Sequence, residues 1–190
     1  MHAQSLKVSR LFRLPDSSSM KAPEDVLEIF LQPGEFYFGD EKTRIRTLLG
    51  SCVAITLWHP ALHIGGMCHY MLPQRVRRKT ADDAVLDGRY AADAIQMFLH
   101  EIHLSRTRSA DYQVKLFGGG RMFAQGVKGH RHTDISERNV DFGRAVIAQF
   151  GFKLAAQDLG GSGHRNVILD LWSGDVWVRR AKLDAAHAAV

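Results

Sequence analysis

The chain has 190 residues, of which 45% are hydrophobic and 24% are charged, and its formal net charge is +5. A chain of this length predicts one compact domain, because it buries roughly two-thirds of its unfolded surface without covalent staples. The two cysteines are too few for a disulfide scaffold, and no apolar run reaches the roughly 20 residues of a membrane span. We therefore expect a cytoplasmic protein with no membrane insertion and no cofactor.

The positive charge is spread along the chain and is not gathered into a tail. The densest basic stretch, Arg75-Val76-Arg77-Arg78-Lys79, is short and is more typical of a solvated loop than of a nucleic-acid-binding arm. Mild basicity also suits an acidic protein partner. We expect no nucleic-acid partner.

The two ends of the chain contain little that could be buried. Pro15-Asp16-Ser17-Ser18-Ser19 is turn-rich, and residues 1–30 are predicted to be a flexible N-terminal leader. The Ala-rich residues 181–190 are predicted to be a C-terminal tail. A single catalytic domain is then expected over residues 31–180.

Two apolar runs rich in strand formers open the predicted domain. The first covers residues 52–58, and the second covers residues 63–72 and ends at Pro73. The four residues between them, 59–62, have the composition of a turn, so the two runs predict a hairpin. Apolar residues then recur at helical spacing and predict a helix over about 88–104.

A strand, a glycine triplet and a second helix are predicted next. Residues 112–117 alternate as a strand and run into Gly118-Gly119-Gly120. The triplet lacks the Lys and Ser/Thr that complete a phosphate loop, so a structural turn or a wall of the substrate cleft is favoured over nucleotide binding. The second helix is predicted to start at Asn139, a good N-cap residue, and to end before Gly151, where left-handed backbone suits glycine.

Three strands close the domain. One is predicted over residues 152–157, and a hairpin around Ser173-Gly174 joins residues 167–172 to residues 175–179. Strands outnumber helices. The predicted class is α/β (α+β), a layered sandwich of mainly antiparallel or mixed β-sheet with flanking helices.

Cys52 and His69 are the candidate catalytic residues. They lie equally far from a turn centred on Pro60-Ala61, so a simple hairpin places them opposite each other. Cross-strand neighbours have Cβ atoms about 4.5–5.5 Å apart, which would bring the thiol and the imidazole within reach. A bulge at Gly65-Gly66 would shift this register by one residue.

Such a pair has a clear chemical use. The imidazole takes the thiol proton, the thiolate attacks a carbonyl, and the proton returns to the leaving group. Gly50 and Ser51 are small, so backbone N–H groups beside Cys52 can approach a developing oxyanion. The alternative is that Cys52 is inert core filling, since cysteine is among the most buried residue types. Cys68 is expected to face the other side of the strand and to be a core residue.

The strings around this pair closely resemble the CheD family of chemoreceptor glutamine deamidases. The matching strings occur in the family's order and cover about residues 35–180. They are Gly50-Ser51-Cys52-Val53-Ala54, Gly65-Gly66-Met67, His69-Tyr70-Met71-Leu72-Pro73, Asp87 with Tyr90-Ala91, Phe117 to Phe123, Ile135 to Val140, and Asp158 to Arg165.

The resemblance implies a hydrolase that converts glutamines of methyl-accepting chemotaxis receptors to glutamate through a cysteine thioester. It implies Cys52 as the nucleophile and His69 as the general base and acid. No metal is expected, because His130, His132 and His164 do not have an ordered Cys/His ligand spacing. The family's third catalytic residue is a threonine six positions before the cysteine. A gap-free count lands on Arg46, whereas a one-residue deletion gives the orienting role to Thr47. Thr47 is otherwise an ordinary strand residue.

Two alternatives follow from the same resemblance. The acyl chemistry would also hydrolyse glutamyl methyl esters, because only the leaving group differs. A non-catalytic binding module would instead act on chemoreceptors or on a second partner, a CheC-type CheY-P phosphatase. The intact Cys52 and His69 pair favours the enzyme.

Overall fold

The computed structural model of the chain describes residues 10–12, 21–75, 85–122 and 135–181. Within these ranges the chain forms ten strands, two α-helices and one short 3-10 turn at Ser109–Asp111. The elements, in chain order, are β1 (Arg10–Phe12), β2 (Leu27–Leu31), β3 (Phe36–Gly39), β4 (Thr43–Leu49), β5 (Val53–His59), β6 (Ile64–Tyr70), α1 (Ala91–Leu104), β7 (Gln113–Gly118), α2 (Ile135–Gln149), β8 (Lys153–Leu159), β9 (His164–Asp170) and β10 (Asp175–Ala181). No helix in the described part of the chain is long and apolar enough to cross a membrane.

The strands form two sheets of five. The first sheet has the order β1-β10-β9-β4-β2, and the second has the order β3-β6-β5-β7-β8. Most neighbours are antiparallel, but β2 lies parallel to β4, and β7 lies parallel to β8. The chain crosses from the first sheet to the second between β4 and β5, through residues 50–52.

Two hydrophobic clusters hold three layers together. One lies between the second sheet and the two helices, where it includes Phe98, Leu116 and Ile147. The other lies between the two sheets and includes Ile45, Phe117 and Leu169. Side chains alternate across β4, so its inward residues reach the space between the sheets. The predicted class, a layered sandwich of mixed sheets with flanking helices, is confirmed.

The predicted domain limits stay predictions, but strands occur near both of them. β1 and most of β2 fall within the predicted leader, residues 1–30, and both are paired into the first sheet. β10 ends at Ala181. Residues 182–190, most of the predicted tail, lie outside the described residues.

Several predicted element boundaries are wrong, among them the start of α2 and the loop of the last hairpin. α2 starts at Ile135 instead of Asn139, and Asn139 lies fully buried in its second turn. The hairpin of β9 and β10 closes at the pair Asp170 and Asp175, so its loop has four residues instead of two. The loop is longer because Leu171 turns into the core, where its N–H bonds the carbonyl of Thr43 at 3.0 Å. The predicted left-handed residue after α2 is confirmed, since Gly151 has φ 71°.

Candidate active site

The predicted hairpin register between Cys52 and His69 is wrong by two residues. His69 on β6 faces Ala54 on β5, not Cys52. The four-residue turn occupies residues 60–63, one residue later than the predicted 59–62, and His63 adopts φ 52° at its end. A shift of two residues preserves the face of a strand, because side chains alternate with period two. Cys52 therefore still shares the side of Ala54 and His69, and it packs against the cluster between the sheets.

Thr47 contacts His69 across the space between the two sheets. Thr47 points inward from β4, and its Oγ1 lies 2.8 Å from Nδ1 of His69. The same hydroxyl donates to the carbonyl of Leu31 at 2.9 Å, so its proton is already used. Oγ1 then accepts from Nδ1–H of His69, which fixes the imidazole tautomer. The deletion-based assignment, not the gap-free count, identifies the residue beside His69, since Arg46 is exposed and pairs with Glu28.

This contact leaves Nε2 of His69 as the basic nitrogen. His69 is 1% exposed, and Nε2 is buried without a hydrogen-bond partner among the described residues. Burial lowers the pKa of His69 to about 4, although hydrogen bonding to Leu31 and the charge of Glu35 act in the opposite direction. The imidazole is therefore neutral at neutral pH and can accept a proton at Nε2.

The backbone of His69 is held by the loop between β2 and β3. Its carbonyl accepts the N–H of Gly34 at 2.7 Å, and its own N–H donates to the carbonyl of Glu35 at 3.0 Å. These two bonds come from the same chain segment that ends β2 at Leu31. His69 is thus held both through its ring and through its main chain.

Cys52 lies in the crossing between the sheets, and every carbonyl of that crossing is hydrogen-bonded. The carbonyl of Gly50 accepts the N–H of Gly120, and the carbonyl of Cys52 accepts the N–H of Gly119, both at 2.8 Å. The carbonyl of Ser51 accepts from Nδ2 of Asn139 at 3.3 Å. Because a trans peptide directs its C=O and N–H to opposite sides, these bonds also orient the N–H groups of Ser51 and Cys52.

The glycine triplet is built into this crossing. Gly118 has φ 118° and Gly119 has φ 64°, backbone conformations that residues other than glycine rarely adopt. A Cβ on Gly118 would overlap the carbonyl oxygen of Cys52, and a Cβ on Gly119 would overlap the Val140 side chain. The N–H groups of Gly119 and Gly120 donate to the carbonyls of Cys52 and Gly50, so they are not free to bind a phosphate.

The two cysteines differ in accessibility. Cys52 is half-buried, and burial raises the pKa of its thiol, while a hydrogen bond with the Ser51 side chain opposes that rise. Cys68 is fully buried on the helix-facing side of the second sheet, and burial raises its pKa to about 12. The expectation that Cys68 is a core residue is confirmed.

Asn139 is a site residue that the sequence prediction placed wrongly. Its Nδ2 donates to the carbonyls of Ser51 and Met71, and its main-chain carbonyl accepts a hydrogen bond from the hydroxyl of Tyr70. The buried positions of α2 recur every three or four residues from Ser136 onward. Before Val140 the buried positions hold the polar residues Ser136 and Asn139, so apolar periodicity does not mark the first turn of α2 in the sequence.

The described residues contain no group of three His, Cys, Asp or Glu side chains placed to hold a metal ion. His130 and His132, two of the ten histidines, lie outside the described residues.

The described residues thus include a half-buried thiol, an imidazole whose Nε2 makes no hydrogen bond to that thiol or to any other described group, and a threonine at its Nδ1. These are groups that a thiol-dependent hydrolase would use. The chain belongs to the CheD family: the family model described as CheD chemotactic sensory transduction matches residues 71–180. The resemblance stated from the sequence is confirmed.

Curated relatives cover most of the chain. "Probable chemoreceptor glutamine deamidase CheD" of Pseudomonas savastanoi pv. phaseolicola is 50% identical over 170 residues, which are 87% of this chain and 92% of that protein. "Probable chemoreceptor glutamine deamidase CheD 3" of Dechloromonas aromatica is 50% identical over 157 residues, 83% of this chain and 89% of that protein. "Probable chemoreceptor glutamine deamidase CheD 1" of Leptospira interrogans is 41% identical over 164 residues, 83% and 95% of the two chains.

Proposed function

We propose that this chain deamidates glutamine side chains of chemoreceptors to glutamate through a thioester on Cys52. The names of the curated relatives supply the reaction and the substrate class. The observation that carries the mechanism is the 2.8 Å contact between Thr47 Oγ1 and His69 Nδ1, because it leaves Nε2 of His69 as the base. The roles of Cys52, His69 and Thr47 are part of the proposal.

The first half of the reaction forms the thioester. Nε2 of His69 takes the proton from the Cys52 thiol while the sulfur adds to the carbonyl carbon of the glutamine side chain. The tetrahedral intermediate then collapses, the C–N bond breaks, and His69 gives its proton to the nitrogen, which leaves as ammonia. Thr47 stays hydrogen-bonded to Nδ1 and stabilises the imidazolium that exists between these two proton transfers.

The second half hydrolyses the thioester. His69 takes a proton from water, and the resulting hydroxide adds to the acyl carbon. The C–S bond then breaks to release glutamate, and His69 returns the proton to the sulfur of Cys52, which restores the thiol. A glutamyl methyl ester would follow the same path, with methanol as the leaving group in place of ammonia. Each glutamine converted gives the receptor one negative charge, an electrostatic change of the kind that shifts a two-state signalling element.

The resting pair is proposed to be neutral. Burial lowers the pKa of His69 to about 4 and raises the pKa of Cys52 above its ordinary value, so neither group is charged at neutral pH. Proton transfer from thiol to imidazole therefore accompanies the attack on the substrate. The thiol and the imidazole remain uncharged until the glutamine is bound, so the free-energy cost of burying them is small.

The oxyanion is proposed to bind the N–H groups of Ser51 and Cys52. Support comes from the three carbonyl hydrogen bonds of the crossing, which orient its peptide groups before substrate arrives. Donors that need no reorganisation during the reaction are the most effective in stabilising an oxyanion. Gly50 has no side chain that could block access to these N–H groups, and a Cβ there would lie 2.9 Å from the sulfur of Met122.

The thioester is tested by letting hydroxylamine compete with water as the nucleophile that attacks the acyl-enzyme. The enzyme is incubated with a receptor cytoplasmic fragment and increasing hydroxylamine, and the fragment is read by mass spectrometry. A thioester is expected to yield glutamyl hydroxamate at the glutamines that otherwise become glutamate, while Cys52→Ala yields neither. Formation of glutamate alone at every hydroxylamine concentration would exclude an acyl intermediate open to nucleophiles.

The proposed compartment is the cytoplasm, and the proposed catalytic domain is residues 31–180, preceded by the leader 1–30 and followed by the tail 181–190. Both cysteines are free in the structure, which agrees with a reducing compartment.

A further inference from the structure

We propose that Asn139 is a positioning residue that orients the Ser51–Cys52 peptide as the oxyanion donor. The inference rests on the proposed function and assigns a role to a residue outside the Thr47, His69 and Cys52 set. Asn139 has no exposed surface, and its Nδ2 donates to the carbonyl of Met71 at 2.8 Å and to the carbonyl of Ser51 at 3.3 Å. One of these carbonyls directly precedes the nucleophile, and the other lies two residues after the base.

The amide of Asn139 joins the two catalytic segments where the strand pairing stops. The ladder between β5 and β6 ends at Val53 and Tyr70, so Ser51 and Met71 lie beyond its last pair. Asn139 bridges this gap from α2 with both protons of one NH₂ group. The helix itself is anchored at the same point, because the hydroxyl of Tyr70 donates to the main-chain carbonyl of Asn139 at 2.6 Å.

The orientation of the Asn139 amide follows from its partners. Two carbonyl oxygens can only be satisfied by the NH₂ end, since the Oδ1 end would place three acceptors together. Oδ1 is buried and has no partner among the described residues. A buried acceptor without a partner has a free-energy cost, which is consistent with a side chain retained for the bonds made by its other end.

The bond to Ser51 acts on the oxyanion donor through one peptide group. The carbonyl of Ser51 and the N–H of Cys52 belong to the same planar trans unit, so holding the carbonyl toward α2 directs the N–H away from it. A hydrogen bond to the carbonyl also polarises the N–H and strengthens it as a donor. The gain arises when the oxyanion forms, so Asn139 should affect kcat more than KM.

The test compares Asn139→Ala and Asn139→Asp with Val146→Ala. Asn139→Asp keeps the side-chain shape and removes the NH₂ donor. Val146 lies buried on the same helix two turns later, so its truncation reports loss of packing alone. We measure kcat and KM on a receptor fragment, normalised to folded protein by circular dichroism, and the rate of Cys52 alkylation by iodoacetamide.

Both Asn139 variants are expected to lower kcat by ~10- to 100-fold, below the roughly 100- to 1,000-fold loss that follows removal of a direct oxyanion donor. KM and the alkylation rate should each stay within about threefold of wild type, since neither depends on an oxyanion. Val146→Ala should keep its kcat per folded molecule. The inference is overturned if the Asn139 variants match Val146→Ala, or if KM rises with kcat unchanged.

Cys52→Ala in the same assay separates the two claims. If Cys52→Ala still converts glutamine, the proposed function fails, and the inference fails with it. If Cys52→Ala is inactive while both Asn139 variants keep the wild-type kcat, the inference alone is wrong.

Discussion

Replacement of Thr47 by valine is expected to slow the reaction without unfolding the protein. Valine keeps the branched shape and removes the oxygen that accepts from Nδ1–H of His69. Thr47 and His69 are each 1% exposed, so water cannot replace the lost acceptor. The imidazole then loses its fixed tautomer and the partner that stabilises its protonated form.

The size of the effect follows from the burial of this contact. Leaving a buried donor unsatisfied costs about 1–3 kcal/mol, which corresponds to roughly 5- to 150-fold in kcat. The carbonyl of Leu31, which raises the pKa of His69 against the effect of burial, remains in the variant. We therefore expect a loss toward the lower half of that range.

The assay is the rate of conversion of glutamine to glutamate in a receptor fragment, read as a mass change of about 1 Da per site from the amide-to-acid chemistry. Thr47→Ser keeps the hydroxyl and should recover kcat to within about threefold of wild type, as a conservative rescue of one hydrogen bond. Wild-type kcat in folded Thr47→Val would refute the orienting role, as would equal losses in the valine and serine variants.

Three further outcomes are expected. Because burial lowers the pKa of His69 to about 4, kcat/KM should stay constant from neutral pH to about pH 5 and fall as the pH drops through about 4. A fall centred near the ordinary His pKa of 6.5 would contradict a neutral, buried base. Iodoacetamide should label Cys52 and leave Cys68 unlabelled in the native protein. Burial raises the pKa of Cys52, so removing the base with His69→Ala should slow the labelling of Cys52. Equal labelling of the two thiols would argue against the site. Gly118→Ala should lower both kcat and the urea midpoint of unfolding, because the added Cβ would overlap the Cys52 carbonyl oxygen. Gly160→Ala is the control: Gly160 has φ 70° and an added Cβ would meet no atom within 4 Å, so the variant should lose only roughly 1–2 kcal/mol through backbone strain. Equal losses at the two glycines would show that backbone strain alone causes the effect.

The hairpin that carries the site shows what a local pattern can and cannot predict. The apolar runs and the turn composition predicted β5 and β6, and both form. The register depends on which residues form the turn, and the turn lies one residue later than predicted, with His63 at φ 52°, which composition does not indicate. The face was nevertheless predicted correctly, because a two-residue shift preserves alternation.

The contact between Thr47 and His69 lay beyond local prediction for a different reason. It joins residues 22 positions apart on two different sheets. Its formation depends on the crossing after Leu49 and on the sandwich closing over the second sheet, and neither is encoded in the spacing of nearby residues. Parallel pairing of β2 with β4 is equally non-local, and it places the Leu31 carbonyl beside the threonine hydroxyl.

The start of α2 is predicted wrongly because a local capping preference competes with tertiary contacts at Asn139. Asparagine is a strong N-cap residue, which favoured a helix start there. The buried positions of α2 extend back to Ser136, which favours a helix already formed. Tertiary hydrogen bonds to Ser51 and Met71 satisfy the amide inside the helix, so the burial pattern decides the outcome over the capping preference.

The central claim is that the thiol of Cys52 attacks receptor glutamines, and its most direct test is mass spectrometry of a receptor cytoplasmic fragment incubated with wild type, Cys52→Ala and Cys68→Ala. Cys68 supplies the matched control, since it is the other free cysteine and lies buried on the opposite face of the second sheet. Wild type and folded Cys68→Ala are expected to convert the same glutamines to glutamate, while Cys52→Ala binds the fragment and converts none. Conversion of those glutamines by Cys52→Ala would contradict the account.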